Sequence, residues 1–149
     1  MTDQPRIVAL VPMRHDSKRV PGKNYRPMCG KPLYAHIIET LMSVETISQV
    51  VVDTDSPPVI EGLARDYPQV KVLLRPEELR AHTTPTNEIL VYDTAQVPAD
   101  LYLQTHCTNP LLKAETIRRA ITQLRNSYPE YDSLFGVTRL QTRLWDELG

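Results

Sequence analysis

A strongly basic loop follows the first apolar run of the chain. The segment Pro12–Pro32 has six lysine and arginine side chains against one carboxylate, that of Asp16. The rest of the chain has 11 basic and 17 acidic groups, so positive charge is concentrated in this segment. A triphosphate needs several cations to offset its charge, and backbone N–H groups in a tight loop to bind its oxygens. The six cations are Arg14, Lys18, Arg19, Lys23, Arg26 and Lys31.

The setting of these charges favours binding over a solvated surface, which is the commoner role of a run of lysines and arginines. Ser17, Gly22 and Asn24 are interleaved with the cations, as in a loop after a strand, and the charges are not spread along a helix. The two commonest phosphate-binding patterns, G-x-x-x-x-G-K-[ST] and G-x-G-x-x-G, do not occur. An ordinary P-loop ATPase or Rossmann dehydrogenase is therefore disfavoured.

The elements that must position this loop follow an alternating pattern. Short β-branched runs alternate with stretches of helical periodicity, which is typical of βαβ units and a mainly parallel sheet. We expect a three-layer α/β/α sandwich of the Rossmann-like type, with four or five strands and the ligand beyond their carboxyl ends. The predicted strands are Ile7–Val11, a strand starting with Val50–Val52, Val70–Leu74, Leu101–Leu103 and Leu134–Val137.

Four helices are predicted between these strands. One contains Leu33 and Leu41 at helical spacing, and a second, SPPVIEGLARDY, has Ser56 as its N-cap and Pro57 at its first position. The other two predicted helices are Asn87–Ala95 and the run AETIRRAITQLRN.

Length and composition predict one domain over residues 1–149, since 41% of the residues are hydrophobic and two ordinary domains would need a longer chain. A formal net charge of −1 indicates neither nucleic-acid nor membrane binding. The N-terminal apolar run is too short for a signal peptide or a membrane span, so we expect a cytoplasmic protein. Cys29 and Cys107 have no metal-binding spacing, which predicts reduced, non-catalytic thiols.

The chain ends at LQTRLWDELG, with Leu144 and Trp145 close to the terminus and no polar tail. This ending is typical of a truncated domain. The alternative is that the two side chains cap a complete small domain.

The segment VPMRHDSKRVPGKNYRPMCGKPL resembles the opening of the acylneuraminate cytidylyltransferases, the CMP-sialic acid synthetase family. In that family an apolar strand is followed by R-x-x-S-K-x-x-P-x-K-N and then by a G-K-P-L turn. The similarity continues through VVVDTDS and LRPEEL, and CTNPLLKAETI resembles the family's P-T-S-P-L segment. The matching positions in the first segment are Arg14, Ser17, Lys18, Pro21, Lys23, Asn24, Gly30, Lys31, Pro32 and Leu33.

This resemblance implies a cytidylyltransferase that transfers CMP from CTP to the anomeric hydroxyl of a 2-keto sugar acid, such as a sialic acid, and releases pyrophosphate. It implies that Arg14 and Lys23 are catalytic, because cations there would stabilise charge on the α-phosphate and the leaving pyrophosphate. Nucleotide binding is one of two equally supported roles for Arg75 and for Thr86. The alternative for Arg75 is a surface ion pair, and the alternative for Thr86 is the N-cap of a helix. The implied nucleotide-binding residues are Arg14, Ser17, Lys18, Lys23, Asn24, Arg75 and Thr86.

Two histidines depart from the family pattern. His106 stands where the family usually has glutamine before P-T-S-P-L, and we expect it to contact the sugar acid. His82 replaces an aspartate common after R-P-x-x-L and is expected to be a polar loop residue. Histidine changes charge near neutral pH, so these replacements are expected to alter sugar selection.

The resemblance further implies Mg²⁺ and a homodimer. The family's magnesium-binding aspartates lie in a later segment than this chain reaches, and its dimer contacts also lie largely beyond this point. Asp53 and Asp55 are not obvious substitutes, and Asp55 is expected to be a hydrogen-bond acceptor in a loop or at a helix start. The ligands of the metal therefore stay unknown.

Two alternatives remain open from the sequence. The first is a nucleotidyltransferase for another sugar, either 3-deoxy-octulosonic acid or a sugar 1-phosphate. The second is a non-catalytic nucleotide-binding remnant.

Overall fold

A computed structural model describes residues 4–139 of the chain. Its strands are β1 (Ile7–Leu10), β2 (Pro27–Met28), β3 (Lys31–Pro32), β4 (Ile47–Thr54), β5 (Lys71–Leu74) and β6 (Leu101–Gln104). Its α-helices are α1 (Leu33–Met42), α2 (Pro57–Asp66), α3 (Thr86–Gln96) and α4 (Ala114–Ser127). Short 3₁₀ turns lie at Lys23–Tyr25 and Glu77–Leu79.

The chain divides into two compact units, Met1–Arg118 and Arg119–Gly149, with the boundary inside α4. The first unit contains all of the strands above. In the second unit, the described residues after α4 have no regular secondary structure. Leu144 and Trp145, on which the expectation of a truncated domain depends, lie outside the described residues, and the single-domain expectation stays a prediction.

A four-stranded sheet in the order β5-β4-β1-β6 forms the centre of the first unit. Every pairing in it is parallel, while β2 and β3 form a separate antiparallel hairpin. These pairings confirm the predicted α/β fold with a mainly parallel sheet. None of the helices within residues 4–139 is long and apolar enough to cross a membrane.

The strand order reverses beside β1. The chain steps from β1 to β4 and on to β5, and then returns to the opposite side of β1 to form β6. The loops that follow β1 and β6 therefore leave neighbouring strand ends in different directions and open a crevice between them. Open α/β sheets bind their ligands at this position.

The core is built around β1, whose four residues are all buried. A continuous apolar strand of this kind is expected where a parallel sheet is covered on both faces. Val8 and Leu10 of β1 pack in one cluster with Val51 of β4 and with Val97, which follows α3. In α1, Ile37, Ile38 and Leu41 recur at helical spacing and are buried, as the sequence predicts.

Two local features differ from the sequence-based expectation. The predicted strand Leu134–Val137 is wrong, because these residues are irregular and Phe135 and Val137 are exposed. An apolar run shows only that a strand is compatible with the sequence, whereas a strand needs a hydrogen-bonding neighbour. The β2–β3 hairpin was not predicted, since strands of two residues carry no periodicity. Its turn residues Cys29 and Gly30 have φ of 50° and 85°, as in a type I′ turn.

Gly62 of α2 packs against Tyr34 of α1, and both residues are buried. A Cβ at position 62 would overlap the Tyr34 hydroxyl and lie 3.3 Å from its Cζ. We expect Gly62→Ala to lower the free energy of unfolding by about 1–3 kcal/mol, although alanine is the better helix former. Urea unfolding measures this loss. Because the overlap involves the hydroxyl, the loss should be smaller in a Tyr34→Phe background, and an equal loss in both backgrounds would contradict the steric explanation.

Candidate functional site

A recess of about 460 Å³ opens beyond the carboxyl ends of β1 and β6, and is called the larger recess. Residues of the basic loop line it together with His82 and the segment 106–108 that follows β6. Asp16 is the one carboxylate among the described lining residues, so the recess is strongly positive. It is suited to an anion with several charges. The cations that line it are Arg14, Lys18, Arg19 and Lys23.

A smaller recess of about 270 Å³ adjoins the first. Pro12, Arg14, His82 and His106 line both recesses. The lining of the smaller recess also includes Arg75 and two threonines, together with apolar residues. The lining of the smaller recess therefore suits a less charged part of the same ligand, joined to the anion in the larger recess. The residues found only in the smaller recess are Arg75, Ala81, Thr84, Thr86 and Ile89.

The structure brings together all of the site residues predicted from the sequence, while their binding and catalytic roles stay predictions. Two further cations of the basic loop point elsewhere: Lys31 forms an ion pair with Glu39 of α1, and Arg26 Nε donates to the Pro21 carbonyl at 3.0 Å. Arg14, Ser17, Lys18, Lys23 and Asn24 line the larger recess, Arg75 and Thr86 the smaller one, and His106 both.

His15 anchors the start of the basic loop to the end of β4. Its backbone N–H donates to Asp55 Oδ1 at 2.7 Å, and a hydrogen bond of 2.9 Å joins its Nδ1 to Ser56 Oγ. Its ring stacks on Tyr25, with 5.9 Å between the ring centroids. The expected acceptor role of Asp55 is confirmed. Ser56 does precede α2, but its side chain makes no capping hydrogen bond and holds His15 instead.

Asn24 joins the basic loop to the segment after β6. Its buried side chain donates from Nδ2 to the Arg14 carbonyl at 2.7 Å and accepts at Oδ1 from the Cys107 thiol at 2.9 Å. Burial raises the pKa of the Cys107 thiol to about 11, so the thiol stays neutral and can donate. Both Cys107 and the exposed Cys29 are free, in agreement with the expectation of reduced thiols. The Asn24 amide is thus fixed in orientation beside Arg14.

Local turns shape the rest of the loop. Ser17 Oγ accepts a hydrogen bond from the Val20 N–H at 3.3 Å, which closes a short turn. Gly22 has φ of 66°, and a Cβ there would lie 2.8 Å from the Tyr25 ring. Only glycine fits this position without strain, and the turn places Lys23 on the larger recess.

Arg75 is buried, with 1% of its surface exposed, and pairs with the equally buried Asp53 of β4. The alternative of a surface ion pair is therefore wrong. Its backbone N–H donates to the Thr54 carbonyl at 3.1 Å, and its own carbonyl accepts from Arg80 Nε at 2.9 Å. Asp93 of α3 is also fully buried beside this pair. These contacts hold Arg75, which lines the smaller recess, in a fixed position.

Sequence reasoning missed Asp93, although the sequence held a signal for it. Asp93 lies four residues after Ile89 of α3 and four before Val97, which follows the helix, so a carboxylate stands between two apolar residues at helical spacing. Burial, together with the charge of Asp53, raises the pKa of Asp93 to about 7. Burial also raises the pKa of Asp53, although Arg75 opposes this.

One alternative for the lining is corrected. Thr86 is the first residue of α3 and Pro85 occupies the cap position, so the N-cap alternative for Thr86 is wrong. His82 is an exposed polar residue of a loop, as expected, and it also lines both recesses. Within residues 4–139 no group of three or more His, Cys, Asp or Glu side chains could hold a metal ion.

Sequence comparison finds a family of enzymes. The sequence model of the family described as Cytidylyltransferase matches residues 8–147. A CMP-N,N'-diacetyllegionaminic acid synthase from Legionella pneumophila is 36% identical over 78% of this chain and 52% of its own length. A 3-deoxy-manno-octulosonate cytidylyltransferase from Geobacter metallireducens is 29% identical over 80% of this chain and 44% of its own. An N-acylneuraminate cytidylyltransferase from Escherichia coli O18:K1:H7 is 28% identical over 90% and 32%.

The chain spans about half the length of the first two relatives and about a third of the last. Among solved structures, a CMP:2-keto-3-deoxy-manno-octonic acid synthetase complexed with CTP has a TM-score of 0.74 at 24% identity, over 83% of this chain and 49% of that one. Rv0371C from Mycobacterium tuberculosis, in complex with manganese, has a TM-score of 0.59 at 14% identity, over 78% and 58%. At these identities the likenesses show the fold alone, which is the Rossmann-like fold of nucleotidyltransferases.

The Asn24 contacts generate a test of how the larger recess is held. We expect Asn24→Ala to lower the free energy of unfolding by about 1–3 kcal/mol, because the half-buried Arg14 carbonyl and the buried Cys107 thiol lose their partner. Cys107→Ala should cost less, since it removes one sulfur hydrogen bond and leaves the Arg14 contact. Thermal or urea unfolding without ligand measures both. Lys18→Ala, which changes an exposed residue of the same recess, is the control, and an equal loss in that variant would refute the role given to Asn24.

Proposed function

Because this chain belongs to the cytidylyltransferase family, we propose that it binds CTP in the two recesses and transfers CMP to a 2-keto sugar acid. In this reaction the anomeric hydroxyl oxygen of the sugar acid forms a bond to the α-phosphorus of CTP. The bond from that phosphorus to the bridging oxygen breaks, and pyrophosphate leaves with the bond's electron pair. The hydroxyl proton is released as the new ester forms.

The observation that carries this proposal is the convergence of four cations on one recess at the point where the strand order reverses. The triphosphate of CTP is the anion that this charge suits, and the adjoining smaller recess receives the nucleoside. Arg14 lines both recesses, so it lies where the nucleoside meets the phosphate chain, close to the α-phosphate. Lys23 and Lys18 line the larger recess and not the smaller one, so in this arrangement they offset charge on the departing pyrophosphate.

In this arrangement Arg14 and Lys23 act by electrostatic stabilisation. Both are held by a loop whose shape is fixed before the ligand arrives, because Asn24 and Gly22 determine the local backbone. Cations that are already in place need no reorganisation as charge moves to the leaving group. Ser17, Asn24, Arg75 and Thr86 complete the proposed nucleotide site.

The acceptor class follows from position and from the relatives. His106 lines both recesses beside Arg14, so a sugar acid next to it would have its hydroxyl near the α-phosphate. The three relatives are named for a legionaminic acid, a 3-deoxy-octulosonate and an acylneuraminate. These compounds share a 2-keto acid and an anomeric hydroxyl. The octulosonate and the sialic or legionaminic acids are equally supported acceptors.

The proposal includes a divalent cation, Mg²⁺, bound with the triphosphate. None of the residue roles above depends on the metal. A homodimer and a cytoplasmic location also stay predictions.

Calorimetric titration with CTP, UTP, ATP and GTP in magnesium tests the nucleotide site. We expect selective binding of CTP, and we expect Lys23→Ala to weaken it roughly tenfold to hundredfold, because a charge-assisted contact is worth about 1.5–3 kcal/mol. Lys31→Ala is the matched control, since it removes the same charge from the same loop at a residue paired with Glu39. Absence of binding by every nucleotide would overturn the proposal, and equal losses in the two variants would show non-specific attraction.

A further inference from the structure

Three ionisable side chains meet in the interior behind the smaller recess. Asp53 comes from β4, Arg75 follows β5, and Asp93 comes from α3. Asp53 and Asp93 have no exposed surface and Arg75 has 1%. Two carboxylates and one guanidinium would carry a net negative charge in a place that water does not reach, which is unfavourable.

The hydrogen bonds of this cluster are incomplete if both carboxyls are ionised. Asp53 Oδ1 accepts from the Arg75 guanidinium. Asp53 Oδ2 and both oxygens of Asp93 are buried and have no hydrogen-bond donor among the described residues. Asp53 and Asp93 nevertheless interact directly through their side chains. A single proton on Asp93 would supply the missing donor, since a protonated carboxyl can donate to the free oxygen of Asp53.

We propose that Asp53 and Asp93 carry one proton between them and that this protonated pair positions the side chain of Arg75, a residue that lines the smaller recess. With one proton the three-residue cluster is neutral, and Arg75 has a single carboxylate partner. Asp93 is then a positioning residue that acts through Arg75 and does not touch the nucleotide. The nucleotide-binding part of this inference rests on the proposed function.

The charged groups that act on the pair come from each element around it. Arg75 lowers the pKa of both carboxyls, while the charge of Asp55, after β4, raises that of Asp53. Burial dominates and raises the pKa of Asp93 to about 7. As the pH rises through that value, a second negative charge develops beside Arg75. That charge competes for the guanidinium and disfavours an anionic nucleotide in the adjoining recess.

The effect on stability has a definite sign. The pKa of Asp93 is raised in the folded state, so the folded protein keeps a proton that the unfolded chain has already released. The contribution of Asp93 to stability is therefore present below the ordinary aspartate pKa and is lost as the pH rises to about 7. Asp93→Asn mimics the protonated form at every pH and removes this loss.

The first test uses the protein without nucleotide. The free energies of unfolding of the wild type and Asp93→Asn are compared between about pH 5 and about pH 8.5, a range that spans the raised pKa. We expect the stability of the variant relative to the wild type to increase with pH across this range. Asp66→Asn is the control, because the exposed Asp66 has a pKa lowered by Arg65 and should show no such trend. If the difference in free energy of unfolding between the two proteins does not change with pH, the proposal of a shared proton is wrong.

Carbon-13 NMR of the aspartate carboxyls in the wild-type protein tests the same point without a variant. We expect one carboxyl signal to titrate with a midpoint near neutral pH, far above the range of exposed aspartates. If every aspartate signal has finished titrating by about pH 5.5, the inference is wrong, because such a result matches ordinary aspartate pKa values.

The second test measures the positioning role through CTP binding. We expect the CTP dissociation constant of the wild type, divided by that of Asp93→Asn, to rise about tenfold from pH 6 to pH 8.5. A change of this size is produced if CTP binding raises the pKa of Asp93 by one unit. All other ionisable groups are common to both proteins, so their effects cancel in the ratio. A ratio independent of pH would overturn the positioning role. Absence of CTP binding to the wild type would overturn that role and the proposed function together. The unfolding and NMR measurements, which use no nucleotide, would still show whether Asp53 and Asp93 share a proton.

Discussion

Strand β1 is hydrogen-bonded along both edges, to β4 on one side and to β6 on the other, and this double pairing decides where polar groups can lie. Its residues are buried between neighbours, so the chain can become polar only where the strand ends. The parallel partners end at the same edge of the sheet. The loop after β1 and the segment after β6 therefore face each other across the crevice that contains both recesses.

The basic loop is held in this crevice by contacts that do not use the charges lining the recess. His15 contacts the end of β4, Asn24 contacts Cys107, and Gly22 allows the chain to turn against Tyr25. Cations placed close together repel one another and oppose a fixed loop. The neutral and backbone contacts offset that repulsion. The cations that line the larger recess are therefore not needed for ion pairs that hold the loop in place. Lys31, which does form an ion pair, serves to hold the loop's exit on α1.

Local features of the sequence predicted the fold class, the strand β1, the basic loop and the start of α2 at Pro57. Each depends on neighbours in the chain: an apolar run, a cluster of charges or a proline at a helix start. What was not predicted concerns partners that are distant in sequence. Ser56 occupies the N-cap position of α2 as predicted, but its hydroxyl bonds to His15. The predicted strand at Leu134–Val137 is wrong, since it has no strand to join among the described residues of its unit. Asp93 was visible as a carboxylate between two apolar residues at helical spacing. The partners that explain it are distant in sequence, since Asp53 lies in β4 and Arg75 follows β5.

The thiol of Cys107 and the amide of Asn24 are separated by 83 positions in the chain. A contact of that span requires a long loop of chain to close, and the entropy of closing it opposes the contact. During synthesis the residues of the basic loop leave the ribosome well before β6 and Cys107 do. An emerging chain thus displays its cations as a loose charged segment, and a shaped anion site exists only after the sheet has been completed on the β6 side of β1.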